Sequence, residues 1–374
     1  MKTIQGTYTT AQIMTDDVEQ YAIAQVKVLC DNPIFKDEKI VCMPDIHPGK
    51  VTPIGFTATI DLLQNKIIMP NLIGNDIGCG ILAVKLKETR FEPQKLDRVI
   101  RENIPSGLAH RKDNYLYNKY IRDNFDTEYM KLNCCISDKC IKSFGTLGGG
   151  NHFIEIDKDP DDDSLWLIIH TGSRAFGTEI NKYYLDLAHK NNPVIPYELG
   201  VLVDQDAYNY HDDHINACYF ASANRVAIAD IIIKEMKFHP LYNIESIHND
   251  IKGGDIFIIR KGATNADKGK TVIIPINSRD GIIIGKGKGN PDWNYSAPHG
   301  SGRIMNRTDT KNQHTLSEYK KSMNGIYSSS INAGTLDEAP FAYRSIDQIL
   351  PLIQDTVEVT KILKPVYNFK GGKE

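Results

Sequence analysis

The chain has 374 residues, enough for one large domain or two. Its 41% hydrophobic and 24% charged content fits a soluble globular protein, and no apolar run approaches the length of a membrane span. A net charge of −3 and a pI of about 6.4 exclude bulk electrostatic attraction to nucleic acid, so any polyanion site has to be a local basic patch.

Seven cysteines in no regular framework, with no leading signal sequence, predict free thiols and a cytoplasmic setting. Thr15-Asp16-Asp17 predicts the cap of a first helix running to about Leu29, with Val18, Ala22, Val26 and Leu29 near one face. Ile40 to Met43 reads as an apolar strand ending in a polar turn that offers Asp45, His47 and Lys50, either to a ligand or to turn chemistry and solvent. Phe56 to Leu62 reads as a strand leading by a hairpin into the stretch Ile73-Gly74-Asn75-Asp76-Ile77-Gly78-Cys79-Gly80. There the glycines let a carboxylate and a thiol three residues apart converge on one point. That pair suits a transition metal, and the alternative is a buried turn with a core cysteine.

Residues 94–140 look helical and mixed. Cys134, Cys135 and Cys140 match no common zinc spacing. Gly145-Thr146-Leu147-Gly148-Gly149-Gly150 is either a nest of backbone N–H groups for a phosphate or a flexible turn. It opens into Asn151-His152-Phe153-Ile154-Glu155, which as a strand puts Asn151, Phe153 and Glu155 on one face and His152 on the other. Asp157 to Ser164 reads as a solvated acidic loop. Leu165 to Ile169 is a buried strand that ends in His170, followed by Gly172 and Arg174.

His211 and His214 lie one helical turn apart near the start of a helix that continues to Met236; the pair could bind a metal, but two exposed histidines are the commoner reading. Ser246-Ile247-His248-Asn249-Asp250 is a short polar segment, and Asp255 to Ile259 a strand. Two more strands follow, Thr271 to Pro275 and Gly281 to Ile284. Gly285 to Asn290 looks like a phosphate cradle but fits neither the P-loop nor the dinucleotide pattern, and a hairpin with solvated lysines suits it equally. In Ser296-Ala297-Pro298-His299-Gly300-Ser301-Gly302-Arg303 the glycines leave His299 sterically open, and a helix starting here would put Arg303 one turn away. An accessible imidazole can act as a nucleophile on phosphorus. Asp337 to Arg344 is an acidic turn before a short helix, and Val357 to Ile362 and Val366 to Gly372 close the chain.

Asp76, Cys79, His152, His170 and His248 together suit one or two ions of manganese, zinc, iron or cobalt. Two close ions can hold the attacking and leaving oxygens of a phosphoryl transfer. The residues alone therefore indicate metal-dependent phosphoryl or nucleotidyl transfer.

The segments MPDIHPGK, IGNDIGCG, GTLGGGNHFIEI, HTGSR, RKGAT, GNPDWNYSAPHGSGR and DEAPFAYRSID, with a C-terminal Lys-Gly, run in the same order as those of the RtcB-type RNA ligases, which the chain resembles from about residue 43 onward. The resemblance implies an α+β fold: a single large domain over residues 1–374, with mixed β-sheets flanked by helices around a central metal and nucleotide cleft. It implies a GTP- and manganese-dependent enzyme that joins an RNA 3′-phosphate or 2′,3′-cyclic phosphate end to a 5′-hydroxyl end, in RNA repair or tRNA splicing. By position in the motifs, Asp76, Cys79, His152, His170 and His248 would hold about two manganese ions. His299 would take GMP from GTP. Asn151, Glu155, Asn249, Tyr343 and Lys370 would hold the nucleotide, with Glu155 a candidate for reading guanine, and Arg174 would contact a phosphate or the RNA.

The chain departs from the family at Pro275 to Gly281, where a Gly-Ser-Met-Gly segment is usual, at Ile282, where a nucleotide-contacting serine is expected, and at Ser301 in place of alanine. A metal-dependent phosphohydrolase or cyclic phosphodiesterase that does not ligate is the competing expectation. A purely RNA-binding protein is a third, disfavoured by the pI. An accessory protein partner is left open.

Overall fold

The computed structural model describes residues 1–63, 66–122, 132–253 and 256–372. In chain order its strands are β1 (Lys2–Gln5), β2 (Thr10–Ile13), β3 (Ile40–His47), β4 (Ile54–Ile60), β5 (Ile67–Ile68), β6 (Gly80–Leu86), β7 (Phe153–Lys158), β8 (Leu165–Thr171), β9 (Leu202–Val203) and β10 (Pro240–Ile247). They continue with β11 (Asn249–Lys252), β12 (Phe257–Lys261), β13 (Ala263–Asn265), β14 (Thr271–Asn277), β15 (Gly281–Gly287), β16 (Ser296–Pro298) and β17 (Val357–Lys370). The longer helices are Gln20–Cys30, Pro93–Asn103, Arg174–Asn191 and Asp204–Met236.

Two sheets organise these elements, an α+β arrangement as expected. One is six-stranded in the order β1-β2-β3-β4-β12-β11, antiparallel except where β2 runs parallel to β3. The other is seven-stranded and antiparallel, in the order β10-β6-β8-β7-β17-β15-β14. Its outer strands β10 and β14 lie against each other, so the sheet curls round on itself.

The curl explains an alternation along its strands. Leu82, Val84, Ile154, Ile156, Leu167 and Ile169 face outward and pack on the helices Pro93–Asn103 and Asp204–Met236. Ile81, Ala83, Phe153, Trp166 and Ile168 face inward and meet Ile273, Ile282, Ile284 and Leu363. Ile282 thus serves the inner core. A third cluster packs β3, β4 and β12 against helices Gln20–Cys30, Arg174–Asn191 and Asp204–Met236. Among the described residues, no helix is long and apolar enough to cross a membrane.

Several local expectations are corrected. The first helix begins at Gln20 after Glu19, because Thr15 is occupied in a turn where its hydroxyl accepts from the Asp17 N–H. β4 forms no hairpin with the next strand; it pairs with β3 and β12, while β5 pairs with distant β9. The Asp157–Ser164 loop is not simply solvated: Asp157 and Asp159 are fully buried. Asp159 accepts from Trp166 Nε1 at 3.3 Å and from Lys361 Nζ at 2.6 Å. His214 is buried too, its Nε2 accepting the Ile251 N–H at 3.0 Å. The expected mixed helical region at 94–140 falls partly on residues 123–131, and the strand expected from Asp255 begins one residue outside the description; β12 is described from Phe257.

Candidate functional site

The metal-ligand candidates come together because β6, β8 and β7 are consecutive neighbours. Ile81 and Phe153 both pair with His170, which sets the ends of all three strands side by side. The Asp76–Cys79 turn sits just before β6, held by the Cys79 carbonyl accepting the His248 N–H at 2.9 Å. Gly78 has a φ of +70°, and a Cβ there would lie 2.7 Å from Cys218 Cα on helix Asp204–Met236, so only glycine fits. Arg225 on that helix, fully buried, donates to the carbonyls of Gly78 at 2.8 Å and Thr171 at 2.6 Å, tying the two turns to each other.

Cys79 Sγ lies 3.5 Å from His152 Nε2 and 3.3 Å from His170 Nε2. Asp76 Oδ2 is 3.2 Å from His152 Nε2, and His248 Nε2 is 3.2 Å from His170 Nε2. The Nδ1 atoms of His152 and His170 face the carbonyls of Leu147 at 3.0 Å and Asn151 at 3.2 Å. Nδ1–H donation there leaves both Nε2 lone pairs pointing inward. Burial, then the neighbouring imidazoles, push His170 and His248 well below the ordinary histidine range, so both are neutral donors. Burial and the Asp76 carboxylate push the Cys79 thiol up. A cluster of inward lone pairs with a thiol that resists ionising is what a cation resolves, and the donor set fits a transition metal.

Against this cluster stands His299. Its ring centroid is 5.0 Å from that of His248 and 6.4 Å from that of His47. Its Nδ1 is 2.7 Å from Oδ2 of Asp45, which is fully buried in β3 and also accepts the Gly300 N–H at 3.3 Å. The expected helix at His299 is absent: β16 ends at Pro298, and the next helix, Arg307–Gln313, begins beyond Arg303.

His299 lies between two cavities. One, of about 230 Å³, is lined by Asn151, Phe153, Glu155, Arg303, Tyr343 and Lys370. The divergent segment Pro275–Ser278 lines it as well. The second, of about 370 Å³, lies on the metal-ligand side and includes Asp76, Cys79, His248, Asn249 and Lys261. Four of the five residues expected to hold a nucleotide therefore share the first cavity. Asn249 is on the other side, its amide donating to the Asp76 carbonyl at 3.0 Å and accepting the Gly262 N–H at 2.8 Å.

The glycine run is not a free nest at its start. Asn224 Oδ1 accepts from the N–H groups of Gly145 at 2.6 Å and Thr146 at 3.3 Å. Arg174 begins its helix with its guanidinium against Gly148 and its Nε 3.4 Å from Thr146 Oγ1. His211 and His214 lie outside both cavity linings.

Three residues escaped the sequence reading. Asp45 is read in the sequence as open to a ligand or to turn chemistry, and not as the partner of His299. Glu338, buried beside the first cavity, contacts Arg303 and Lys370 at 3.4 Å, Arg307 at 2.5 Å and the Tyr343 hydroxyl. Burial alone would raise its carboxyl; Lys370, Arg307 and Arg303 outweigh that and hold it below the usual range. Lys261 donates to the neutral partners Thr52 Oγ1 at 2.7 Å and the Asn71 carbonyl at 3.3 Å, and burial pushes it down to about 8.

The family model described as tRNA-splicing ligase RtcB matches residues 25–371. The chain is 31% identical to RNA-splicing ligase RtcB1 of Escherichia coli strain ATCC 25922, and 30% identical to RNA-splicing ligase RtcB of Escherichia coli K12, covering 90% of this chain and 91% of the relative in each case. It is 28% identical to tRNA-splicing ligase RtcB of Aeropyrum pernix, over 83% of this chain and 82% of that one.

Proposed function

The chain belongs to the RtcB family, and on that footing we propose that it is an RNA ligase that uses GTP to join an RNA 3′-phosphate or 2′,3′-cyclic phosphate end to a 5′-hydroxyl end. The observation that carries the nucleotidyl-transfer step is the position of His299, with Nδ1 bound to Asp45 between a cationic cavity and a metal-ligand cluster.

With Nδ1–H donating to the Asp45 carboxylate, Nε2 keeps its lone pair. Nε2 attacks the α-phosphorus of GTP; an N–P bond forms, the α–β P–O bond breaks, and pyrophosphate leaves with the electron pair. The imidazolium that results is stabilised by Asp45. A cyclic end is first opened by water, whose oxygen bonds to phosphorus as the P–O2′ bond breaks and the 2′-oxygen takes the proton; an oxygen of the RNA 3′-phosphate then attacks the phosphorus held on His299 and the N–P bond breaks, returning neutral His299. The 5′-hydroxyl finally attacks the activated 3′-phosphorus, forms the phosphodiester and loses its proton, and GMP departs.

Asn151, Glu155, Tyr343 and Lys370 hold the nucleotide, and Arg303, Arg307 and Lys370 offset phosphate charge. Asn249 acts from the metal-ligand side, and Arg174 contacts a phosphate of the RNA. Asp76, Cys79, His152, His170 and His248 would hold manganese, which supplies Lewis-acid neutralisation of phosphate oxygens when bound.

The test is covalent labelling with α-³²P-GTP and manganese, on wild type and on His299→Ala. Acid-labile label on the wild type alone is expected. No label with GTP or ATP in metal-replete protein would overturn nucleotidyl transfer and leave the hydrolytic reading of the same centre.

A further inference from the structure

β7 places Glu155 and Asp157 two residues apart, so both carboxyl groups project from the same face of the strand into the curl of the seven-stranded sheet. Both are buried, at 2% and 0% exposure. Glu155 reaches the first cavity; Asp157 lies behind it, outside the cavity lining. Neither oxygen of Asp157 has a hydrogen-bond donor among the described residues. The side-chain group it meets is the Glu155 carboxyl. Two buried carboxylates in contact do not both ionise, so one proton lies between them.

The surroundings decide which residue carries it. Glu155 Oε2 accepts from Asn368 Nδ2 at 2.6 Å, and the Lys370 ammonium acts on it from the same strand, β17. Among the described residues Asp157 has only the charge of exposed Lys364, also on β17, in its favour, and its β8 partner is uncharged Trp166. The donor and the buried cation both favour an ionised Glu155. The proton therefore resides on Asp157 and is donated to Glu155.

We propose that Asp157 is a positioning residue for base specificity: as the neutral half of this pair it keeps Glu155 an acceptor toward the cavity, which selects a base edge with two donors. Guanine presents N1–H and an exocyclic amine; adenine presents an amine beside an acceptor nitrogen and would need a protonated carboxyl. The proposal rests on the reading of Glu155 as the base contact. It supplies a local polar device in a chain whose neighbouring segment, Pro275–Ser278, has diverged.

The experiment measures equilibrium binding of the non-reacting α,β-methylene analogues of GTP and ATP between pH 6 and 10, on wild type, Asp157→Asn, Asp157→Leu and Glu155→Gln. Asp157→Asn keeps an N–H donor to Glu155 and the single negative charge of the pair. It is expected to keep the wild-type GTP:ATP ratio, while lacking the loss of GTP affinity that is expected of the wild type at alkaline pH as the shared proton leaves. The other ionisable groups are common to both proteins and cancel in that comparison. Asp157→Leu is expected to lower the ratio at least fivefold. If Glu155→Gln lowers the ratio and Asp157→Leu leaves it within twofold of wild type, Asp157 has no such role. If Glu155→Gln leaves the ratio unchanged, the base-contact reading fails and the proposal fails with it. Should Asp157→Leu not fold, an Asp157→Asn pH profile that matches the wild type overturns the proposal.

Discussion

His299 Nδ1 and Asp45 Oδ2 are 2.7 Å apart although the residues are separated by 254 positions in the chain. Asp45 is buried in β3, and its second oxygen has no hydrogen-bond partner among the described residues. A buried carboxylate so sparsely satisfied is costly unless the group it faces becomes cationic. In the proposed mechanism Asp45 would fix the tautomer of His299 and offset the positive charge that the ring would gain on attacking phosphorus.

Asp45→Asn tests this directly. The amide can still accept the Nδ1–H, but it brings no charge. The rate of label transfer from α-³²P-GTP is expected to fall by roughly 10²-fold or more, the range for loss of a positioned acid–base partner. Thermal stability should hold or rise, since a sparsely satisfied buried charge is removed. A labelling rate within threefold of wild type would show that His299 needs no partner.

Metal removal should be felt in stability as well as in labelling. The Nε2 atoms of His152, His170 and His248 stand 3.2 to 3.5 Å from their neighbours in the donor set. Manganese at about 100 times its dissociation constant is expected to stabilise the chelator-treated protein by about 2.7 kcal/mol through mass action. Cys79 touches both halves of the donor set, so Cys79→Ala should abolish most of that gain, whereas His211→Ala, outside both cavity linings, should leave it intact. Calorimetric melts with and without manganese check this; equal shifts in wild type and Cys79→Ala would count against the cluster as the site.

The parts of this centre that were legible in the sequence are those where chemistry sits at strand ends. His170 closes an apolar run, and Asp76 and Cys79 sit among glycines, so local pattern alone suggested convergence. The Asp45–His299 pair was not legible, because Asp45 looks like any acidic turn residue until β3 and β16 are known to meet. The signal available was an acidic residue embedded in the apolar stretch Ile40–Ile46. Asp157 and Asp159 were misread for a related reason. Their run is acidic and contains a proline, yet Lys361 arrives from 202 positions away to pair with Asp159. Burial of a charge depends on a distant partner, which periodicity within one segment does not register. The helix expected at His299 failed because the chain there ends a two-stranded pairing of β16 with β13 rather than opening a turn.

Lys261 carries a pH signature. Its folded value of about 8 lies below the ordinary 10.5, and burial is the cause. Between those values the unfolded chain binds more protons than the folded one, so folding stability rises with pH across the window of about 8 to 10.5. Below pH 8 the whole penalty is present. It amounts to roughly 2 to 3 kcal/mol, the lower figure allowing for solvent in the cavity that Lys261 lines. Lys261→Met should therefore raise the melting temperature at pH 7 and flatten its rise toward pH 10. It should also impair ligation, since an ammonium with no carboxylate partner among the described residues is available to a phosphate. A mutant no more stable than wild type at pH 7 would mean that the ammonium is already compensated.

Arg174 can be tested through the glycine that makes room for it. Gly148 has a φ of +82°, and a Cβ there would stand 2.1 to 2.3 Å from the Arg174 guanidinium atoms. Gly148→Ala therefore displaces the guanidinium as well as straining the backbone by about 1–2 kcal/mol. If Arg174 contacts RNA phosphate, label transfer to His299 should survive in Gly148→Ala while joining of RNA ends falls about tenfold or more, the scale of a lost charge-assisted hydrogen bond. Arg174→Ala separates the two effects, because it removes the guanidinium and leaves the glycine turn relaxed. The same split in both variants, labelling kept and joining lost, assigns the effect to the guanidinium. Normal joining by Arg174→Ala would end the assignment of Arg174 to the RNA and leave backbone strain at Gly148 as the cause of any defect in its alanine variant.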